Sequence, residues 1–357
     1  MIKKECFTAE WIEQVSSELH YNDKNLIEKV IRALSLLEML VKAGCPLVFK
    51  GGTALMLILG KSAHRLSIDI DLICPPGTNI EDYLKSFADF GFINLELVER
   101  KQRDDADIPK SHSKFFYQIA YRNDTDAQSY ILLDVLYEDI HYFRTQQIAI
   151  NCPFIRLEGK PLMVTVPSAE DILGDKLTAF APNTTGIPYY KNGRSCSMEI
   201  AKQLYDVGRL FENVSDLQIT KEAFRKIAVV ELSYRSFGTD IGQVFNDIRQ
   251  TALCISTRGK AGEGDFDLIQ DGIIRVKSFM YKQRYLIDHA IIDAARAAYL
   301  ATLIEKGINE IESYSNTPAD IKDMVIRPSL PNKLNKLRSN LPEAYYYWAK
   351  TSELLEA

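Results

Sequence analysis

The sequence predicts an α/β fold in two parts, a mixed sheet with flanking helices over residues 1–167 and a mainly α-helical part over residues 168–357. Three observations point there. Apolar or alternating runs of strand length recur at 47–49, 68–74, 93–98, 115–121, 130–137 and 162–166. From Ser168 onward the apolar residues recur at helical spacing almost to the end. Between the first two strands, Gly51-Gly52 opens a short apolar segment that has the length of a helix rather than a hairpin turn.

The elements follow in order. Residues 24–43 carry apolar side chains at 27, 30, 31, 34, 37 and 41, an amphipathic helix that ends at Gly44 with Pro46 beyond. A short buried strand at 47–49 leads into a helix at 54–59, for which Thr53 is a candidate N-cap. After the strand at 68–74, Pro75-Pro76-Gly77 breaks the chain and a helix is expected over 80–90. Pro167-Ser168-Ala169-Glu170 reads as the start of the helical part, in which 266–280 and 284–305 are long amphipathic helices. Residues 182–195 have the composition of a long loop, expected to be mobile near substrate. No segment repeats at a fixed period.

Composition excludes several classes. A chain of 357 residues can bury a substantial core, and 46% hydrophobic with 25% charged residues is ordinary for a globular protein. No apolar run reaches the length of a membrane span, and Met1-Ile2-Lys3-Lys4-Glu5 lacks the apolar region of a signal peptide. Six scattered cysteines (Cys6, Cys45, Cys74, Cys152, Cys196, Cys254) without a Cys-x-x-Cys pair argue against zinc and for reduced thiols in the cytoplasm. The net charge of −5 gives no global basic field. Its acidic excess lies in residues 1–150, with 17 Lys and Arg against 22 Asp and Glu, so that part calls for cations. Lys333, Lys336 and Arg338 form the nearest thing to a basic patch and read as a solvated helix face.

The chemistry concentrates in Lys50-Gly51-Gly52-Thr53 and Arg65-Leu66-Ser67-Ile68-Asp69-Ile70-Asp71-Leu72. In a strand Asp69 and Asp71 point the same way, about 7 Å apart, while Ile68, Ile70 and Leu72 face the core. Paired carboxylates of this kind suit Mg²⁺, which keeps waters and takes phosphate oxygens as further ligands. Glycines admit a phosphate to backbone N–H groups at the start of a helix. Lys50, Arg65 and Ser67 carry donors within reach of a phosphate or base. Neither a P-loop nor a dinucleotide-binding glycine pattern is present. In 131–136, Asp134 is a lone acid among large apolar residues, expensive unless solvated or paired at a cation site. Glu138 and Asp139, just beyond, compete for the same role. None of the five histidines has ligand spacing, and none is assigned to metal.

These motifs resemble those of the AbiEii/AbiGii toxin family, in the DNA polymerase β-like nucleotidyltransferase superfamily. A second stretch is similar to the family's later motifs: Glu170 to Lys176-Leu177, then Lys202-Gln203-Leu204-Tyr205-Asp206. The resemblance spans about residues 25–215. Three departures stand out: a longer gap between Gly52 and Asp69, an insertion over 182–197, and Gln203 where the family usually has Asp.

The resemblance implies a polymerase β-like fold and a nucleotidyltransferase. Asp69, Asp71 and Asp134 would hold Mg²⁺ or Mn²⁺ and do the catalysis. Gly51, Gly52, Thr53, Lys50, Arg65 and Ser67 would bind the NTP. Lys176 would meet the triphosphate charge, with Lys202 and Asp206 orienting it or the nucleotide. It further implies a bacterial cytoplasmic toxin countered by an antitoxin, with an RNA such as tRNA as acceptor. The rival expectations are a nucleotidyltransferase acting on a small-molecule or protein hydroxyl, and a nucleotide-binding interaction protein without turnover.

Overall fold

The computed structural model describes residues 1–98, 110–121, 127–214, 216–235, 238 and 240–357. The chain divides into two units. One is Met1–Ser168 together with Ser278–Arg284, and the other is Ala169–Lys277 with Tyr285–Ala357.

In the first unit, helices α1 (Ala9–Leu19) and α2 (Lys24–Lys42) precede strand β1 (Val48–Lys50) and helix α3 (Gly51–Leu59). Strands β2 (Ile70–Cys74), β3 (Asn94–Val98), β4 (Lys110–Gln118) and β5 (Gln128–Tyr137) complete a five-stranded sheet in the order β1-β2-β5-β4-β3. It is mixed: β2 and β5 run parallel, and every other neighbouring pair is antiparallel. One face is apolar. Phe49, Ile70, Leu72, Cys74, Phe115, Tyr117, Ile131, Leu133 and Val135 pack there in one core with the buried side chains of α2. Alternation along each strand then turns the intervening residues to the opposite face.

α2 is buried almost throughout, and its few polar side chains bind backbone. Glu28 accepts the Ala120 N–H, Arg32 donates to the Gly91 carbonyl, and Ser35 donates to that of Phe90. Burial pushes the Glu28 carboxyl up from its ordinary range against the opposing pull of Arg32. The helix expected over 80–90 is two single turns of 3-10 helix, Ile80–Tyr83 and Phe87–Phe90, and Ser35 and Arg32 of α2 bind the carbonyls at 90 and 91 just beyond them.

A small separate sheet pairs β6 (Thr145–Ala149), which carries too little apolar signal to be expected, with β7 (Met163–Pro167).

In the second unit, α4 (Ala169–Ala179) is followed by the two-residue strands β8 (Tyr190–Lys191) and β9 (Arg194–Ser195). Then come α5 (Ser197–Phe211), α6 (Gln218–Tyr234), α7 (Ile241–Ser256), α8 (Phe266–Val276) and α9 (Ile287–Lys306). α10 (Leu337–Asn340) and α11 (Pro342–Glu356) close the chain.

Residues 182–195 form the expected loop of turns and a short hairpin, and the start of the segment is anchored to its neighbours. Asp247 of α7 accepts from the Asn183 N–H, the Asn183 amide and the Thr184 hydroxyl, and Arg235 donates to the Thr184 carbonyl. Residues 190–195 are a tight hairpin turning at Asn192 and Gly193, both at positive φ. Lys333, Lys336 and Arg338 are exposed, as expected of a solvated face, and two of them also bind backbone. Lys333 donates to the Lys260 carbonyl and Arg338 to those of Ile321 and Lys322.

Candidate active site

β1 ends at Lys50, and the chain turns at once into α3 because Gly51 takes φ +77°, a left-handed conformation that only glycine adopts without strain. Glycine is required here a second time, since a Cβ on Gly51 would collide with the Asp71 carboxylate. Gly52 is crowded likewise: a Cβ there would stand 2.6 Å from Ser67 Oγ and 2.9 Å from Arg65 Nη2. The helix thus begins at the glycine pair, three residues earlier than its apolar run suggests.

Thr53 is inside the first turn rather than capping it. It is fully buried, and its hydroxyl donates to the Asp69 carbonyl at 2.7 Å. That hydrogen bond ties the glycine turn to the acidic segment. The regular strand starts at Ile70, so Asp71 belongs to β2 while Asp69 stands on its approach.

The approach is strapped from the other side by residues 278–284. Leu66 N–H donates to the Phe279 carbonyl at 2.8 Å, Tyr281 N–H donates to the His64 carbonyl at 2.9 Å, and Arg65 bridges Met280. The helix expected over 266–280 stops at Val276, and the chain then leaves the helical unit to make these contacts. Arg65 is buried, with Nη1 on the Leu66 carbonyl at 3.1 Å.

Strand register builds the centre. Lys50 pairs with Asp71, Asp71 with Asp134, and Asp134 with His112, one row across β1, β2, β5 and β4. Register partners share a face, so the four side chains stand together on the face opposite the core. Glu138 and Asp139 follow the end of β5 instead, and His141 lies 3.9 Å from Glu138. Carboxylates on register partners, with Cβ atoms about 5 Å apart, repel by about 1–3 kcal/mol between the dielectric of water and an effective 20. Asp71 and Asp134 are half-exposed, Asp134 to 38%. Among the described residues no three His, Cys, Asp or Glu side chains already converge on a metal position. The donor set still fits a hard cation, with oxygen donors of like charge side by side and one of them packed over a glycine.

The second unit holds the other nominated residues. Lys176 on α4 is buried, its ammonium 3.1 Å from Asp206 Oδ2 and 3.0 Å from Gln203 Oε1, both on α5. The neutral Gln203 therefore replaces an acid as acceptor without adding charge. Lys202, next to it, is half-buried.

His112 was passed over in the sequence, where five histidines show no ligand spacing. The signal that finds it is the pairing of β4 with β5, which local pattern does not contain.

The chain was also compared with known proteins. The family model described as nucleotidyl transferase AbiEii toxin, type IV TA system, matches residues 34–315. Among solved structures, the chain is similar to MenT4, a nucleotidyltransferase toxin from Mycobacterium tuberculosis H37Rv. The identity is 14% and the TM-score 0.45, over 92% of this chain and 99% of that one. JHP933 from Helicobacter pylori is 15% identical with a TM-score of 0.40, over 86% and 95% of the respective chains. No curated protein matches.

Proposed function

The chain belongs to the AbiEii nucleotidyltransferase toxin family, and on that premise we propose that it moves an NMP from an NTP to a hydroxyl of an RNA acceptor of the tRNA kind. In this reading Mg²⁺ or Mn²⁺ is the cofactor, the reaction takes place in the cytoplasm, and a cognate antitoxin restrains it. The observation that carries the reading is the register row that sets Asp71 beside Asp134 above the Gly51 turn. Two carboxylates kept adjacent and half-exposed suit a hard cation, and the glycine pair packed against one of them opens a helix there.

Asp69, Asp71 and Asp134 would hold the ion. When bound, it would polarise the phosphate oxygens and favour the ionised form of the attacking hydroxyl. The chain's own groups do the rest. The backbone N–H groups of Gly51 and Gly52, at a helix N-terminus, receive phosphate oxygens. Lys50, Arg65 and Ser67 add donors, and Thr53 holds the Asp69 segment in place through its hydrogen bond. The acceptor oxygen bonds to the α-phosphorus, the bond to pyrophosphate breaks, and Asp134 takes the hydroxyl proton. Lys176, oriented by Asp206 and Gln203, meets the charge that builds on pyrophosphate, and Lys202 and Asp206 contribute to holding the nucleotide. Most of the acceleration is positioning and electrostatics.

The test is transfer of label from each α-³²P NTP to total RNA and to protein in the presence of Mg²⁺. The Asp69→Asn/Asp71→Asn variant runs alongside. Labelled RNA that disappears in the variant supports the reading and names the nucleotide. Label on protein or on a small molecule moves the acceptor. NTP binding without any transfer sinks the reading in favour of a nucleotide-binding interaction protein.

A further inference from the structure

Of the four side chains in the row across the sheet, His112 is the one to which the reaction above gives no task. It stands opposite Asp134 in register, with Nδ1 2.5 Å from Asp134 Oδ1. Its side chain is 10% exposed against 38% for Asp134, so the imidazole is walled in while the carboxylate it touches is open. An ionised carboxylate only accepts, which makes Nδ1 the donor and sets the tautomer. Asp134 has Asp71 on its other side, a like charge that pushes it away. An aspartate on an open sheet face has two torsions with which to yield to that push. The hydrogen bond from this largely enclosed ring takes up one oxygen and opposes the rotation, which leaves Oδ2 for a ligand.

We propose that His112 is a positioning residue for Asp134: through Nδ1–H it holds the carboxylate in the row beside Asp71 against their mutual repulsion. The inference rests on the reading of Asp134 as the third carboxylate. It concerns a residue outside the motifs that carry the family resemblance. Hydrogen bonds to a ligating carboxylate from outside the ligand set typically govern metal affinity and activity by 10–100-fold.

The experiment uses the full-length protein, free of metal and nucleotide. Mn²⁺ affinity is measured by electron paramagnetic resonance for wild type, His112→Ala, His112→Asn, His112→Gln and Asp134→Asn. Melting temperature and the kcat and KM for NTP in label transfer are recorded on the same preparations. The Asn amide N–H can occupy the place of Nδ1–H, whereas that of Gln reaches further, toward the place of Nε2.

His112→Ala is expected to weaken Mn²⁺ by about 10–100-fold and to lower kcat more than it changes KM. His112→Asn should restore most of both, and His112→Gln should not. Mn²⁺ affinity and kcat within twofold of wild type in His112→Ala, with Asp134→Asn inactive, overturn the proposal alone. Equal losses in all three His112 variants, in step with melting temperature, also overturn it in favour of a packing role. An active Asp134→Asn overturns the reading of Asp134 and the proposal with it.

Discussion

Two sets of buried or half-buried charges in this protein are built on opposite plans. On the open face of the first unit's sheet, Asp71 and Asp134 stand side by side, half-exposed, with Lys50 as the register partner on one flank. In the second unit, Asp293 of α9 is buried completely between two guanidinium groups, Arg209 and Arg296, each 3.4 Å away. Arg296 also reaches Glu212 at 2.9 Å and pairs with Glu343. Gly208 lets α5 lie against the Asp293 carboxylate with no Cβ between them. Burial drives the Asp293 carboxyl up while the two arginines pull it down. The second set is closed, with its buried acid held between guanidinium groups, because an uncompensated charge in that interior costs several kcal/mol. The first is open, with its like charges side by side within reach of water. Exposure, more than the presence of acids, distinguishes the two sets.

Substitutions in the two sets should therefore fail differently. The largest effect is expected for Asp71→Asn: transfer falls by about a thousandfold or more, some 4 kcal/mol. Its melting temperature changes little, as relief of the repulsion with Asp134 offsets the charge lost opposite Lys50. A label-transfer assay and a thermal melt on one preparation check both halves, and a fall in melting temperature would place Asp71 with the braces. Next is Arg296→Met, which leaves Asp293 and Glu343 short of a partner and should cost about 3–5 kcal/mol of stability. Urea unfolding reads that loss, and transfer by the fraction still folded should match wild type.

Lys176 is a buried brace to which the proposed reaction also gives a task, so it sharpens the contrast most. Lys176→Met should lower transfer about 10²–10³-fold, near 3–4 kcal/mol, and should also destabilise by stranding the buried Asp206. Adding Asp206→Leu should recover stability without recovering transfer. If both properties return together, Lys176 is a brace. The smallest effect is expected for Thr53→Val, which removes one hydrogen bond to the Asp69 carbonyl: about 1 kcal/mol of stability. Transfer should fall measurably with it, since the bond ties the acidic segment to the glycine turn.

Local pattern carried much of this. The alternation of Ile68, Ile70 and Leu72 with Asp69 and Asp71, the isolation of Asp134 among apolar residues, and the doubled glycine are all statements about neighbours in sequence. Side-chain direction alternates along a strand whatever it pairs with. The same locality explains the long helices at Lys24–Lys42 and Ile287–Lys306, whose apolar stripes are visible without any partner. Where the reading failed, a distant group had intervened. The end of α8 at Val276 answers to the pairing of 278–284 with His64–Leu66.

Residue types and short spacings on the chain thus indicated which half is sheet or helix and nominated the groups for phosphoryl chemistry. Pairing order and register, by contrast, were set by folding. Whether Asp134 or Glu138 faces Asp71, and whether any histidine matters, depends on β5 lying between β2 and β4 in one particular alignment. Hydrogen bonding between strands is indifferent to side-chain identity, and a slip of one residue would turn the whole row to the other face. The alignment is held by the burial of Leu133, Val135 and Phe115 on the far side of the sheet, so the apolar face of the strands determines which polar groups meet on the other.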